Sequence, residues 1–390
     1  MSVTAPKGFS AAGVSVGIKA ADALDVALVA TSDRVATTAA GVFTSNLAAA
    51  APVRISRRHL RSNGGSVAGV LVSSGNANAA TGGRGELDAL AMCGAVAADL
   101  SVPVEEILIC QTGLIGIPLP IDVIIAGLPK LVPALSDAAE GGATAATAIM
   151  TTDKSRKETV VESAGFTVGA MAKGAAMLAP DMATMLAVLT TDAQCRPDIL
   201  QDALRGAVAA SFNRMTVDGC TSTNDSVVVL ANGRSGTEPT YEALTDSLYE
   251  ACADLAEQMV TDAEGGSKIA HIVVVGASSD EEAHRAARKV ADSNLVKCSF
   301  NGEDPYWGRI VSELGSSGAA FDIDTVSVEY GGITVCRDGV AADHDSAAVR
   351  GHMAGRHIRV RCDLGIGSGV AAVLAADLGH GYIDENRTTS

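Results

Sequence analysis

The sequence predicts a mixed α/β protein, and three observations carry that expectation. Short strand-like runs alternate with helix-like runs from one end of the chain to the other. The 390 residues are 47% apolar and only 19% charged, enough to bury a large core. No uninterrupted run of about 18 apolar residues occurs, because Gln111, Pro118, Pro120, Asp122 and Lys130 break the most apolar stretch, 107–135. A membrane span is therefore not expected. At this length two or three core-forming units are expected.

In chain order, strands are expected at 24–30, 67–73, 106–110, 185–191, 226–231, 271–276 and 357–363, where β-branched and aliphatic residues recur. Helices are expected at 85–100, 197–213, 240–263 and 280–294. Within 240–263, Leu244, Leu248, Ala251, Leu255 and Met259 recur at spacings of three and four. Thr240, two residues before Glu242, supplies its capping start. The clearest composition shift is the Ala-, Gly-, Asp- and Thr-rich segment 136–147. No fixed-period repeat is visible.

Charge and composition exclude several functions. The formal net charge is −16, which disfavours a polyanionic partner, and 3% aromatic content leaves little for base stacking. Nucleic acid is not an expected ligand. The eight cysteines contain no CxxC pair and the seven histidines no HExxH, so reduced thiols of a cytoplasmic protein and no metal or other cofactor are expected. The first residues lack the charged-then-apolar layout of a signal peptide. Gly365-Ile366-Gly367-Ser368-Gly369 follows a strand but lacks GxGxxG spacing, and a strand-like run comes after it. It reads as a connection between strands. Gly315-Ser316-Ser317-Gly318 is not GxSxG, so no hydrolase elbow is expected.

The chemistry concentrates around residue 184. From Lys173-Gly174, a small-residue loop stiffened by Pro180 leads through Ala183-Thr184 into an apolar run. A threonine hydroxyl is a poor nucleophile unless an adjacent base removes its proton. An N-terminal threonine carries that base as its own α-amine, whose pKa is about 8. Thr184 reaches that state only if the Ala183–Thr184 bond breaks. Its hydroxyl would attack the Ala183 carbonyl, and hydrolysis of the resulting ester would free the amine. Thr112-Gly113, straight after a strand, can aim a hydroxyl and a backbone N–H at one point, as an oxyanion hole requires, or can simply end the strand. Met150-Thr151-Thr152-Asp153 and Asp262-Ala263-Glu264-Gly265-Gly266 set compact polar groups beside small residues. Glu264 could meet a ligand ammonium or cap a helix end. Thr221-Ser222-Thr223-Asn224-Asp225 could line a pocket or satisfy turn backbone.

On these segments the chain resembles the ornithine acetyltransferases of arginine biosynthesis, also called glutamate N-acetyltransferases. The match runs in order through Gly41 to Thr44, Ser74-Gly75-Asn76-Ala77-Asn78, Thr112 to Gly116 and Met150 to Asp153. It continues through Ala172-Lys173-Gly174, Met177 to Pro180, Met182-Ala183-Thr184-Met185-Leu186, Asp218-Gly219, Thr221 to Asp225 and Asp262 to Gly265. Trp307-Gly308-Arg309 and Tyr382 to Asn386 complete it.

The resemblance implies a fold like that of the DmpA-type N-terminal-nucleophile aminopeptidases, self-cleaved at Ala183–Thr184 into interlocked chains, 1–183 (α) and 184–390 (β). It implies acetyl transfer from N-acetylornithine to glutamate through acetyl-Thr184, with Thr112 and Gly113 on the oxyanion. Thr151, Thr152, Lys173, Glu264, Asn386 and Ser390 would bind substrate, and two α and two β chains would form a heterotetramer. Acetyl-CoA is a possible second donor, though no adenine- or pantetheine-binding signature is readable. The alternatives are an aminopeptidase or amidohydrolase of the same fold, and an uncleaved binding homologue.

The chain departs from the family pattern in three places. Ala176 stands where glycine is usual, Tyr306 stands where asparagine is usual, and the chain after Asn386 is one residue shorter. Substitution at 176 matters only if that position needs a positive φ.

Overall fold

The computed structural model describes residues 2–20, 22–179 and 185–387. Two stacked sheets form the centre. The first orders Phe9–Val14, Val26–Thr31, Gly69–Asn76 and Ile107–Leu114, the last pair parallel and the others antiparallel. The second orders Ser66–Val67, Thr37–Phe43, Ser226–Ala231, Leu186–Thr191, Phe166–Lys173 and Lys157–Ser163. Val29, Val70, Val72 and Leu108 of the first sheet share one buried cluster with Met171, Val188, Val228 and Leu230 of the second. The sheets therefore pack face to face.

Both sheets are apolar on their outer faces as well, so each needs a helical cover. Leu28, Leu71, Ile107 and Ile109 pack under Ala89, Met92, Cys93 and Val96 of the helix Gly82–Leu100, with Ile55 of the helix Ala51–Ser62. On the far side, Val168, Ala170, Leu189 and Val227 pack under Leu200 and Leu204 of Pro197–Ala210. Leu244, Leu248, Leu255 and Met259 of Tyr241–Thr261 complete that layer. The result is a helix–sheet–sheet–helix sandwich.

A third sheet orders Met215–Thr216, Gly369–Ala376, Ile269–Ala277, His357–Asp363, Ser327–Tyr330, Ile333–Arg337 and Val340–Ala341. One face is sealed by Ala283, Ala287 and Val290 of Asp280–Asp292, with Val349 and Met353 of Ser346–Ala354. His357–Asp363 accordingly alternates exposed and buried residues.

The mixed α/β class stands. All seven expected strands and four expected helices occur, with ends displaced by a few residues. Thr240 caps its helix, its hydroxyl accepting from Ala243 N at 3.2 Å. Gly365 to Gly369 joins His357–Asp363 to Gly369–Ala376, a connection between strands. The composition shift at 136–147 falls largely on a helix. Ala139–Ala148 is a helix whose Ala145, Ala146 and Ala148 are buried against the paired sheets. Small residues permit that approach: a Cβ on Gly141 would fall 2.5 Å from Ala11 O. No described helix is long and apolar enough to cross a membrane.

Candidate acyl-transfer site

The site is built where strand ends of the two stacked sheets meet. Phe166–Lys173 ends at Lys173, paired in register with Leu186, which is paired in turn with Ser226. The C-terminal end of Ile107–Leu114 in the other sheet carries Thr112 and Gly113. Lys173 Nζ crosses the junction and donates to Thr112 Oγ1 at 3.4 Å. Because that hydroxyl already accepts from an ammonium, its proton is free to point at a third group. Both side chains are buried.

Gly113 has φ +133°, and a Cβ there would fall 2.2 Å from Gly75 C and 2.4 Å from Asn76 N. Only glycine fits this close approach of two backbones. Beneath the turn runs an amide network. Asn224 Nδ2 donates to Gln111 O at 2.9 Å, Asn78 Nδ2 to Gln111 Oε1 at 2.9 Å, and Gln111 Nε2 to Ser73 Oγ at 3.0 Å. These bonds fix the carbonyl that precedes Thr112. The cluster 221–225 therefore serves mainly to satisfy turn backbone, with Asn224 N bonded to Ser222 Oγ and Thr44 Oγ1 to Ser222 O.

Asp225 is buried beside Met185. Its Oδ1 accepts from Met185 N at 2.9 Å, and its Oδ2 has no hydrogen-bond partner among the described residues. Burial pushes this carboxyl well above the usual range, against hydrogen bonds and the Lys173 charge.

Three further segments converge on Lys173. Asp153 Oδ1 accepts from Gly174 N and from Lys157 Nζ, each at 2.7 Å, and its Oδ2 accepts from Thr151 N at 2.9 Å. Burial alone would raise the Asp153 carboxyl, but Lys173 and Lys157 outweigh it and hold it at about 2. Lys157 Nζ also donates to Asp262 Oδ2 at 2.6 Å. Burial lowers the Lys173 ammonium, with Asp153 and Glu264 opposing. Lys19 Nζ pins the entry to the 151–153 turn by donating to Met150 O at 2.6 Å and Ala148 O at 3.3 Å.

Glu264 is buried, its backbone N–H donating to Ala175 O at 2.9 Å. Its Oε2 accepts from Asn386 Nδ2 at 2.7 Å. The short helix His380–Asn386 reaches it because Gly265, φ +63°, leaves room: a Cβ there would lie 2.0 Å from Tyr382 N. Tyr382 OH bonds Asp218 Oδ2 at 3.2 Å, and Asp218 Oδ1 accepts from Leu178 N at 3.0 Å. Asp218 thereby holds the loop at Leu178.

The structure thus brings together Thr112, Lys173, Thr151, Glu264 and Asn386 through one chain of contacts, with Gly113 on the same turn. Thr152 is exposed at its rim. Ala183, Thr184 and Ser390 lie outside the described residues. Asp153, Lys157, Asp218, Asp225 and Lys19 were given no individual role by the sequence. Asp153 and Asp225 do end motifs already singled out, whereas nothing local marks Lys19. The positive φ falls on Met177, +54°, and not on Ala176, so the alanine there is harmless. Trp307 and Arg309 lie away from the site, where Arg309 Nη1 donates to Leu295 O at 2.7 Å. No group of three or more metal-ligating side chains occurs among the described residues.

A hydroxyl–glycine turn, a buried lysine and a buried carboxylate on a stacked-sheet α/β scaffold are groups suited to acyl transfer. The chain belongs to the ArgJ family, whose family model matches residues 10–388. It is 44% identical over 392 residues to the arginine biosynthesis bifunctional protein ArgJ of Streptomyces coelicolor, covering 100% of both chains. It is similar to the crystal structure of ornithine acetyltransferase complexed with ornithine from Mycobacterium tuberculosis, at 44% identity and TM-score 0.44, over 46% of this chain and 94% of that one. The L-aminopeptidase D-Ala-esterase/amidase of Ochrobactrum anthropi, described as a variant of the Ntn hydrolase fold, is similar at 16% identity and TM-score 0.37, over 67% of this chain and 86% of that one.

Proposed function

We propose that the chain cleaves itself between Ala183 and Thr184, leaving an α chain of 1–183 and a β chain of 184–390, and that Thr184 then carries acetyl from N-acetylornithine to glutamate. The Thr184 hydroxyl attacks the acetyl carbonyl while its α-amine takes the proton. The Thr112 hydroxyl and Gly113 N–H receive the oxyanion. The C–N bond of the donor then breaks, ornithine leaves with the proton from the amine, and acetyl-Thr184 remains. The glutamate amine attacks that ester and regenerates the threonine. Lys173 pairs with a substrate α-carboxylate, and Glu264, held by Asn386, receives a substrate ammonium. Thr151, Thr152 and Ser390 line the rest of the substrate site. No metal or organic cofactor enters this chemistry.

The observation that carries this reading is the Lys173–Thr112 contact, because the ammonium occupies one side of the Thr112 hydroxyl and leaves its proton for a third group beside Gly113. The buried Glu264 carboxylate, held by Asn386, supports an amino-acid acceptor over water, and so a transferase over an aminopeptidase. The relatives' description as bifunctional supports a second donor, and acetyl-CoA is the one we assign. The α and β chains assemble as a heterotetramer in the cytoplasm.

Incubation of the purified protein with N-acetylornithine tests the transfer. Expected is one N-acetylglutamate per ornithine when glutamate is present, and an ornithine burst stoichiometric with enzyme when it is absent. Equally fast, sustained ornithine release without glutamate contradicts the reading in favour of a hydrolase.

A further inference from the structure

The arginine face of Ala51–Ser62 has no part in the chemistry above. Arg54, Arg57, Arg58 and Arg61 stand at i, i+3, i+4 and i+7, on one side of the helix. The chain carries a net charge of −16, yet this helix contains no acidic residue. Arg54 and Arg58 share the single carboxylate of Glu86, at 3.8 and 3.0 Å. Arg57 is held against the backbone oxygen of Thr44 and over the Phe43 ring, 5.6 Å from its centroid. The other side of the helix is locked onto the strand that bears Thr112. Ser56 Oγ donates to Ile109 O at 2.7 Å, and His59 Nδ1 lies 2.8 Å from Ile107 O. The arginines are therefore fixed relative to the oxyanion turn.

Two cavities that share Arg54 lie along this face. One of about 310 Å³ runs from Ile115 and Thr223, beside the Thr112–Gly113 turn, past Leu47, Ala49 and Ala80 to Arg54. Arg54 also lines the next, about 450 Å³, whose other walls are Arg57, Arg58, Arg61 and Ser62. Leu47 is fully exposed and Ile115 is 44% exposed, while Asn78, Thr81 and Thr223 add polar groups, so the first cavity is an open groove with both apolar and polar walls. Such a groove, beside an acyl-transfer turn and opening onto a concentrated positive charge, fits a ligand with a thin, amide-bearing arm and a phosphorylated end.

We propose that this path is the binding site for the carrier of a coenzyme A thioester, with the pantetheine arm between Leu47 and Ile115 and the phosphates on Arg54, Arg58 and Arg61. The inference rests on the reading of acetyl-CoA as second donor. In that step the acetyl C–S bond breaks as the C–O bond to Thr184 forms, and the hydroxyl proton ends on the departing thiolate. N-acetylornithine has no phosphate and does not need the arginines.

The test is calorimetric titration of the intact protein with coenzyme A, alongside both transfer reactions, for wild type, Arg58→Glu/Arg61→Glu and the milder Arg58→Ala/Arg61→Ala. Expected is at least a tenfold loss of coenzyme A affinity in the charge reversal, a smaller loss in the alanine pair, and transfer from N-acetylornithine within twofold of wild type. Raised salt should weaken wild-type binding. Unchanged coenzyme A affinity in both variants, or no binding to wild type, overturns the site. Inorganic phosphate competing as well as coenzyme A overturns the groove. The donor reading fails separately if wild type binds coenzyme A through these arginines and transfers from N-acetylornithine but not from acetyl-CoA.

Discussion

Lys173 Nζ lies 3.4 Å from Thr112 Oγ1 and spans the junction of the two stacked sheets. An ammonium on one side of the hydroxyl leaves its proton for the other. Thr112→Ala removes the donor and should lower kcat by about 10²–10³, with KM changed far less, since the charge develops only in the tetrahedral intermediate. Thr112→Ser should recover most of the rate. Steady-state kinetics with N-acetylornithine decide it: unchanged kcat with a raised KM would remove Thr112 from the oxyanion.

Gly113→Ala tests the other half of the turn. Its Cβ would meet Gly75 C at 2.2 Å, and φ +133° disfavours any side chain. The two backbones must separate, which should cost roughly 1–3 kcal/mol of stability and reduce kcat as severely as Thr112→Ala. A variant with wild-type melting temperature and rate would show that the close approach is not required.

Glu264→Gln keeps the shape and the Asn386 contact but removes the charge. It should leave cleavage at Ala183–Thr184 intact and lower kcat/KM for N-acetylornithine by at least tenfold, because an ammonium loses its partner in a largely buried site. A value within about threefold of wild type, under about 1 kcal/mol, would assign Glu264 a structural role.

Asp153 sets an acid limb. Its carboxyl is held at about 2, against 3.8 when unperturbed, so the native state binds fewer protons than the unfolded state between those values. Its contribution is complete above about pH 4 and is lost as pH falls through about 2. Asp153→Asn should be less stable at pH 7 by about 3–5 kcal/mol, because Lys157 and Lys173 lose a buried partner. Its melting temperature should also depend less on pH between 2.5 and 5. Parallel curves for variant and wild type, from calorimetry over that range, would contradict the assignment.

The strands of the sandwich were legible because they are buried on both faces and read as continuous apolar runs, as in 226–231. Thr37–Phe43 and Phe166–Lys173 were not, since Gly41, Gly169 and several alanines dilute the β signal where neighbouring backbone packs closely. A Cβ on Gly169 would meet Ser2 O at 2.1 Å. The same cause hid the helix Ala139–Ala148, whose glycines and alanines give little apolar periodicity. At the site, family motifs located Thr112, Lys173 and Glu264. The groups that orient them come from distant segments: Asp225 beside Met185, 40 positions away, and Asn224 against Gln111, 113 away. Such pairings exist only after the sheets have stacked.

In the proposed mechanism Thr184 becomes a free N-terminus by cutting its own chain. Denaturing electrophoresis of purified wild type, with N-terminal sequencing of the bands, measures this directly. Expected are fragments of 183 and 207 residues, the longer beginning Thr-Met-Leu-Ala. Thr184→Ala should remain one 390-residue chain without acetyltransferase activity. An intact wild-type chain that transfers acetyl at full rate, or an active uncleaved Thr184→Ala protein, would contradict that mechanism.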